Sequence, residues 1–301
     1  MKEKVLITGA SGLIAKQLGS VLEKINFNVY YLSTSKKNLA KKTLYWNYKK
    51  KYIDPEALYN VDHIIHLAGF NITKPWSKKN KQLMYDSRIK TSNLLLNKCK
   101  KLNIKPASFI SASAMGYYGF NNKGTKIETD HPDEDWMSKL CVDWESAADK
   151  FETINSRIIK LRLPLVLDYN AEIIKKTLLG FRLGVGTIFG SGKQPFPWIH
   201  TQDVINFILL TLHKKSIYGV FNLASPDHIT NYDFINTLKK IKYKKSFLIH
   251  LPKPLVSIIL GEKSLLIFND IQLSSKKMQN TGFKYTHPTI QKALQAIINC
   301  S

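Results

Sequence analysis

Cysteine is nearly absent. Cys99, Cys141 and Cys300 are too few and too widely spaced for a disulfide framework or a zinc site, so no metal centre is expected. Acidic residues are also scarce: 22 Asp and Glu face 45 Lys and Arg, a formal net charge of +23. Arginine is rarer still, at Arg88, Arg157, Arg162 and Arg182, so the basic character is almost wholly lysine. These lysines are scattered in pairs and triplets, such as Lys49-Lys50-Lys51 and Lys244-Lys245. A nucleic-acid reader would gather arginine and stacking aromatics on one element, so no specific nucleic-acid partner is expected. A solvated basic surface, attracted to polyanions at low salt, is expected instead. No apolar run of about 18 residues occurs, which excludes a spanning helix, and no membrane partner is expected. The first residues lack the layout of a signal peptide, and with so little cysteine a reduced, cytoplasmic setting follows as an expectation. Internal repeats and low-complexity linkers are absent as well.

What is present begins at Val5. Residues Val5 to Thr8 form a short buried strand, and Gly9 and Gly12 then permit a tight turn with close backbone approach to a ligand. Leu13, Leu18, Val21 and Leu22 continue at helical spacing. A strand that turns through glycine into a helix leaves backbone N–H groups free at the helix start, where they suit a pyrophosphate. Ala15 takes the third glycine position, and a second strand, Asn28 to Leu32, follows in place. This is the opening of a dinucleotide-binding βαβ unit. Next comes Ser33-Thr34-Ser35-Lys36-Lys37, without the Asp or Glu that would hold the ribose hydroxyl of NAD. Hydroxyls and lysines suit a 2′-phosphate, so NADP is favoured over NAD.

Further along, a helix is expected from Pro55 to Tyr59 and a buried strand from Val61 to Leu67, ending in Ala68-Gly69. Residues 76 to 101 read as one long helix with Arg88 inside it. Ala107 to Ala112 is the next strand, running into Ser111-Ala112-Ser113-Ala114-Met115-Gly116-Tyr117-Tyr118-Gly119, where hydroxyl and phenol groups crowd a strand end. A helix from Trp136 to Glu152 and a strand from Arg157 to Val166 complete the alternation. The fold class is therefore α/β, a doubly wound parallel sheet. Ligands in such sheets bind at the carboxyl ends of the strands. Because this chain writes positive charge as lysine, Arg88 and Arg162 stand out as positions that need a planar fork. The second half is less regular. Gly180 to Gly192, with five glycines, reads as a loop over a ligand. Trp198 to His200 ends a strand, Thr201 is the expected helix cap, and His200 reads as structural. A strand from Phe221 to Ala224, a helix near Asn231 and a compact tail over 247–297 follow.

Together these residues resemble the extended short-chain dehydrogenase/reductases, and more narrowly the YfcH-type "epimerase family" proteins, over essentially the whole chain. The resemblance rests on Ile7-Thr8-Gly9-Ala10-Ser11-Gly12-Leu13-Ile14, His66-Leu67-Ala68-Gly69, Asp86-Ser87-Arg88, the Ser111–Gly119 stretch and Trp144-Glu145-Ser146-Ala147-Ala148. Phe181 to Gly186, Gly190-Ser191-Gly192, Trp198-Ile199-His200, Phe221 to Ala224, Gly261-Glu262 and Gly282-Phe283 extend it. It implies a Rossmann-type NADP-binding domain over 1–225 and a small C-terminal module over 246–297 that contributes to a substrate lobe. By this resemblance Gly9, Ser11, Gly12, Leu13 and Ile14 wrap the pyrophosphate, and Ser33, Thr34 and Ser35 meet the 2′-phosphate. Leu67, Ala68 and Gly69 line the ribose, with Arg88, Ser111, Arg162, Pro164 and Val166 near the cofactor.

The superfamily's chemistry uses Tyr-x-x-x-Lys on one helical face plus a serine. Here that spacing falls on Met137 and Cys141, a departure shared with the YfcH-type proteins. Ser113, Tyr117 and Tyr118 are the substitute candidates, with Lys139 one residue off the helical face. Two readings stand at this point: an NADP-dependent oxidoreductase or epimerase of a sugar-like or nucleotide-sugar-like small molecule, and a catalytically silent NADP(H)-binding sensor or partner-binding protein, the resemblance including members linked to cell or plastid division. Monomer and homodimer are both expected states.

Overall fold

The computed structural model describes residues 2–36 and 42–299; Lys37 lies outside them. The buried run β1 (Lys4–Thr8) leads through the glycine turn into α1 (Leu13–Lys24), whose apolar side buries Ala15, Leu18 and Leu22. Then come β2 (Asn28–Ser33), β3 (Thr43–Asn47), β4 (Tyr52–Ile53) and α2 (Pro55–Leu58), the last capped by Asp54 with proline in its first turn. They are followed by β5 (His63–His66), α3 (Lys78–Asp86), α4 (Ile89–Lys101), β6 (Ser108–Ala114), β7 (Lys123–Lys126) and α5 (Trp136–Asp149). The second half contains β8 (Arg157–Leu163), β9 (Leu165–Leu167), α6 (Glu172–Arg182), β10 (Val185–Phe189), β11 (Trp198–His200) and α7 (Thr201–His213). The chain ends with β12 (Gly219–Asn222), α8 (Asn231–Ile241), β13 (Phe247–Leu251), α9 (Lys253–Leu260), β14 (Asp270–Leu273), α10 (Lys276–Asn280) and α11 (Ile290–Asn299).

Two compact units form. The first comprises Met1–Tyr117, Lys139–Arg162 and Ile205–Phe221; the second comprises Tyr118–Ser138, Leu163–Val204 and Asn222–Ser301. The first unit carries an eight-stranded sheet in the order β12-β8-β6-β5-β1-β2-β3-β4. Its centre is parallel, with Thr8 opposite both Leu32 and His66, and His66 opposite Ser111, while β4 pairs antiparallel at the edge. This register brings Thr8, His66 and Ser111 level on three adjacent strands, at the carboxyl ends of β1 and β5 and midway along β6. The core beside the sheet includes Leu6, Ile64, Leu95 and Trp46, and the rings of Phe109 and Phe151 stack at 3.7 Å. The second unit pairs β10 with β13, β9 with β11 and β7 with β14, each parallel. Its core is built around Phe181, Trp198, Phe234 and Leu294, with Phe196 stacked on Phe234 at 4.4 Å.

Several local expectations change. Residues 76–101 are two helices: α3 ends at Asp86 and α4 starts at Ile89, so Arg88 sits at a break. Ser87 makes that break, because its hydroxyl accepts from Phe70 N at 2.7 Å and donates to the Met84 carbonyl at 3.1 Å. Pro164 interrupts the expected Arg157–Val166 strand, since it has no N–H to continue the ladder; β8 stays with the large sheet and β9 pairs with β11. Gly180 to Gly192 is no continuous loop: Gly180 lies in α6 and Gly186 in β10, where a side chain would meet Phe181 and Leu248. Thr201 does not cap α7, because its hydroxyl bonds to the Leu167 carbonyl; His200 Nδ1 accepts from Gln202 N instead. The aromatic stretch over residues 43–53 supplies two strands that its irregular pattern did not announce. Among the described residues no helix is long and apolar enough to cross a membrane, and no group of three or more His, Cys, Asp and Glu could hold a metal ion.

Candidate functional site

The glycine turn has the geometry its residues suggest. Gly9 has φ +77°, and a Cβ there would lie 3.1 Å from the backbone of Leu67 and Ala68. Only glycine combines that φ with so close an approach. Gly12 N donates to the Gly9 carbonyl at 2.8 Å, and Gly12 starts α1 without any side-chain cap. The free N–H groups of the first turn, with Ser11 exposed beside them and Leu13 and Ile14 as the first helical residues, form an anion cradle. At the end of β2, Ser35 N donates to Ser33 Oγ, while Thr34, Ser35 and Lys36 are exposed; no acidic residue occurs between Glu23 and Asp54.

Beneath this cradle lies a polar network that sequence reasoning missed. Thr8 Oγ1 accepts N–H groups from Leu67 and Ala68 at 3.1 and 3.0 Å and stands 2.8 Å from His66 Nδ1. With its acceptor sites taken, Thr8 gives its own proton to Nδ1. The His66 proton then sits on Nε2, towards Thr91 Oγ1 at 3.2 Å and the Arg88 carbonyl at 3.4 Å. Burial pushes the His66 pKa down to about 4, which keeps the ring neutral. Two polar residues level on adjacent parallel strands were the available signal.

Arg88 stands at the helix break, beside the end of β5. Its Nη1 donates to the carbonyls of Phe70 and Met84 at 3.2 and 3.0 Å, and its guanidinium lies 4.9 Å from the Trp144 ring centroid. A Cβ on Gly69 would touch this guanidinium at 3.0 Å. Burial lowers the Arg88 pKa to about 10, leaving it cationic at neutral pH. Among the described residues no carboxylate pairs with it, and the buried Trp144 Nε1 has no hydrogen-bond partner. A cation and an orphaned donor side by side, with a glycine cradle in the same unit, fit an anionic, acceptor-rich ligand such as a dinucleotide.

The residues at the end of β6 converge on a second cluster. Ser113 donates to Glu145 Oε1 at 2.7 Å; Arg162 donates to the same carboxylate from Nε at 2.8 Å and from Nη2 at 3.0 Å. The Arg162 guanidinium also lies 3.3 Å from the Tyr117 ring centroid. Ser113, Glu145 and Arg162 are all buried. Arg162 is thus engaged by Glu145 and Tyr117. Glu145, given no role in the sequence reading, is the hub; a carboxylate amid the buried Cys141, Trp144 and Ala148 was its signal.

The other candidates are placed as follows. Ser111 is buried and its hydroxyl donates to the Ala112 carbonyl. Tyr118 is fully buried in the second unit, with its hydroxyl held by Asn222 Oδ1 at 2.8 Å and the Ile127 carbonyl at 2.9 Å, which is a structural arrangement. Pro164 and Val166 also belong to the second unit. Met137 and Cys141 are buried, Lys139 is exposed, and burial with the nearby Glu145 charge pushes the Cys141 thiol up to about 12. In the second unit the His200 and His287 rings lie 3.9 Å apart, tilted at 47°, and burial with that neighbour takes the His200 pKa down to about 4.

Comparison with known proteins agrees with this geometry. Residues 5–224 match the NAD dependent epimerase/dehydratase family, and residues 251–297 match a domain of unknown function, DUF1731. An "epimerase family protein" of Staphylococcus aureus (strain NCTC 8325) is 28% identical over 299 residues, covering 98% of this chain and 99% of its own. A Staphylococcus epidermidis relative of the same description is 29% identical over 299 residues, with the same shares covered. The crystal structure of the human epimerase family protein SDR39U1 with NADPH superposes with a TM-score of 0.86 at 26% identity, covering 98% of this chain and 99% of that one. The UDP-glucuronic acid 4-epimerase of Bacillus cereus, in complex with NAD, shares the fold at a TM-score of 0.78 and 21% identity, covering 98% and 97%. The chain belongs to the NAD dependent epimerase/dehydratase family.

Proposed function

We propose that the protein is an NADP-dependent oxidoreductase or epimerase acting on a sugar-like or nucleotide-sugar-like small molecule. The observation that carries this is the Gly9–Gly12 cradle joined to a β2 end rich in hydroxyls and free of acid. The NADPH held by the similar human protein supports the choice of NADP, while NAD in the Bacillus epimerase supports a nicotinamide dinucleotide more generally. In this reading the first turn of α1 holds the pyrophosphate, Ser33 to Lys36 face the 2′-phosphate, and Arg88 adds charge. A bound dinucleotide supplies hydride exchange at its nicotinamide. The chain's own part is proton handling and orientation. Ser113, whose proton is committed to Glu145, offers an acceptor oxygen to a substrate hydroxyl. The Tyr117 phenol carries the proton, with its ring held by Arg162. Met137 and Cys141 take the places of the usual Tyr and Lys, and neither serves as a base at neutral pH.

The second reading is a silent NADP(H) sensor. The burial of Met137 and Cys141 favours it. Thermal shift with NADPH and NADH, followed by absorbance of bound NADPH during a screen of sugar nucleotides and simple carbonyls, decides between them. Greater stabilisation by NADPH together with its oxidation supports the enzyme. Stabilisation without turnover supports the sensor, and stronger stabilisation by NADH overturns the choice of cofactor.

A further inference from the structure

Position 141 on α5 is where the superfamily's chemistry places its lysine, and this chain has a buried cysteine there. A cation nevertheless stands beside it. Trp144 follows Cys141 by three positions, so the two side chains are neighbours on one face of α5. The Arg88 guanidinium lies 4.9 Å from the Trp144 ring centroid, and a Cβ on Gly69 would come within 3.0 Å of it. It thus lies between the segment just past β5 and that face of α5. The Cys141 thiol feels the charge: burial and Glu145 push its pKa up, and Arg88 pulls against them. A lysine at position 141 would set a second cation against the guanidinium, whereas cysteine adds none.

The guanidinium is held without being used up. Among the described residues its Nη1 carries every hydrogen bond, to the Phe70 and Met84 carbonyls and, at 3.5 Å, to Ser87 Oγ. Its Nε and Nη2 make none, and the buried Trp144 Nε1 beside it is unpartnered as well. Strand order decides which half of a dinucleotide meets these donors. In the proposed reading, on which this inference rests, the 2′-phosphate end lies at β2 and the pyrophosphate at the turn between β1 and α1. The order β6-β5-β1-β2 then carries the other half of the ligand over β5, onto Arg88. We propose that Arg88 takes the place of the missing α5 lysine. Delivered from the break between α3 and α4, it offers its Nε and Nη2 N–H groups to the ribose hydroxyls of the nicotinamide half, with Trp144 Nε1 as a further donor.

Isothermal titration of the full chain with NADPH and with 2′,5′-ADP, which carries only the phosphorylated adenosine half, tests this. Arg88→Gln is expected to weaken NADPH binding about twentyfold, as the loss of hydrogen bonds from a charged donor would, and to leave 2′,5′-ADP within about twofold. Adding Cys141→Lys to Arg88→Gln returns a cation to the site and is expected to tighten NADPH binding again by about fivefold. Arg88→Lys, which keeps the charge on its own backbone, is expected to stay within about fivefold of the unmodified protein. Equal weakening of NADPH and 2′,5′-ADP in Arg88→Gln would overturn the proposal, because Arg88 would then serve the phosphate end or the fold. Unchanged NADPH binding in that variant, or no recovery in a folded double variant, would overturn it too. Should Arg88→Gln not fold, Arg88→Lys decides: a folded lysine variant that loses NADPH as severely as expected of Arg88→Gln would overturn the proposal. Failure of the unmodified protein to bind either ligand would overturn the dinucleotide reading itself, a result visible before any variant is compared.

Discussion

Glu145 holds Arg162 through both carboxylate oxygens while accepting the Ser113 hydroxyl, so two buried polar residues depend on its charge. Removing a partner from a buried ion pair leaves an uncompensated charge, which costs about 3–5 kcal/mol. Glu145→Ala is therefore expected to lower the urea-derived stability by about that amount, and Arg162→Met combined with it to restore part of the loss. Gly9 provides the second residue-scale prediction. Gly9→Ala forces an L-residue to φ +77° against the Ala68 backbone. A loss of about 1–3 kcal/mol is expected, and the thermal shift with NADPH should vanish, because the turn cannot relax without moving the cradle.

At the scale of elements, the helix boundaries are set by small polar residues. Thr230 and Asp233 form a capping box at the start of α8, each side chain bonding the other's backbone N–H. Thr230→Ala should cost about 1 kcal/mol, seen as a lower Tm with an unchanged response to NADPH. The Ser87 break between α3 and α4 was not legible from periodicity. Its cause is a hydrogen bond from Phe70 N, a residue 17 positions away. The Pro164 interruption could have been anticipated from the missing N–H, but its consequence, a strand paired in the other unit, depends on Trp198 to His200 arriving alongside.

For the whole molecule, the buried neutral histidines couple folding to acid. The His66 pKa is about 4 in the fold against 6.5 for a free imidazole. The unfolded chain therefore binds a proton first as pH falls, so the stabilisation is complete above 6.5 and is lost on descending to about 4. His66 alone should make the protein about 2 kcal/mol less stable at about pH 5 than at about pH 7. His200 acts in the same direction. Urea titrations at both pH values should show this fall, and His66→Gln should reduce it, leaving the part due to His200.

The sequence by itself determined the parallel α/β architecture, the strand–glycine–helix opening and the acid-free end of β2. Each of these is written in a short contiguous run, where alternation, φ > 0 at glycine and helical spacing act locally. Only the tertiary structure decided that Glu145 is the hub of Ser113 and Arg162, that Thr8 fixes the His66 tautomer, and that Tyr118 is a buried strut while Tyr117 faces Arg162. Those facts join residues as far apart as 58 positions for Thr8 and His66 and 104 for Tyr118 and Asn222. Strand register and packing bring such pairs together, and no local pattern carries that information.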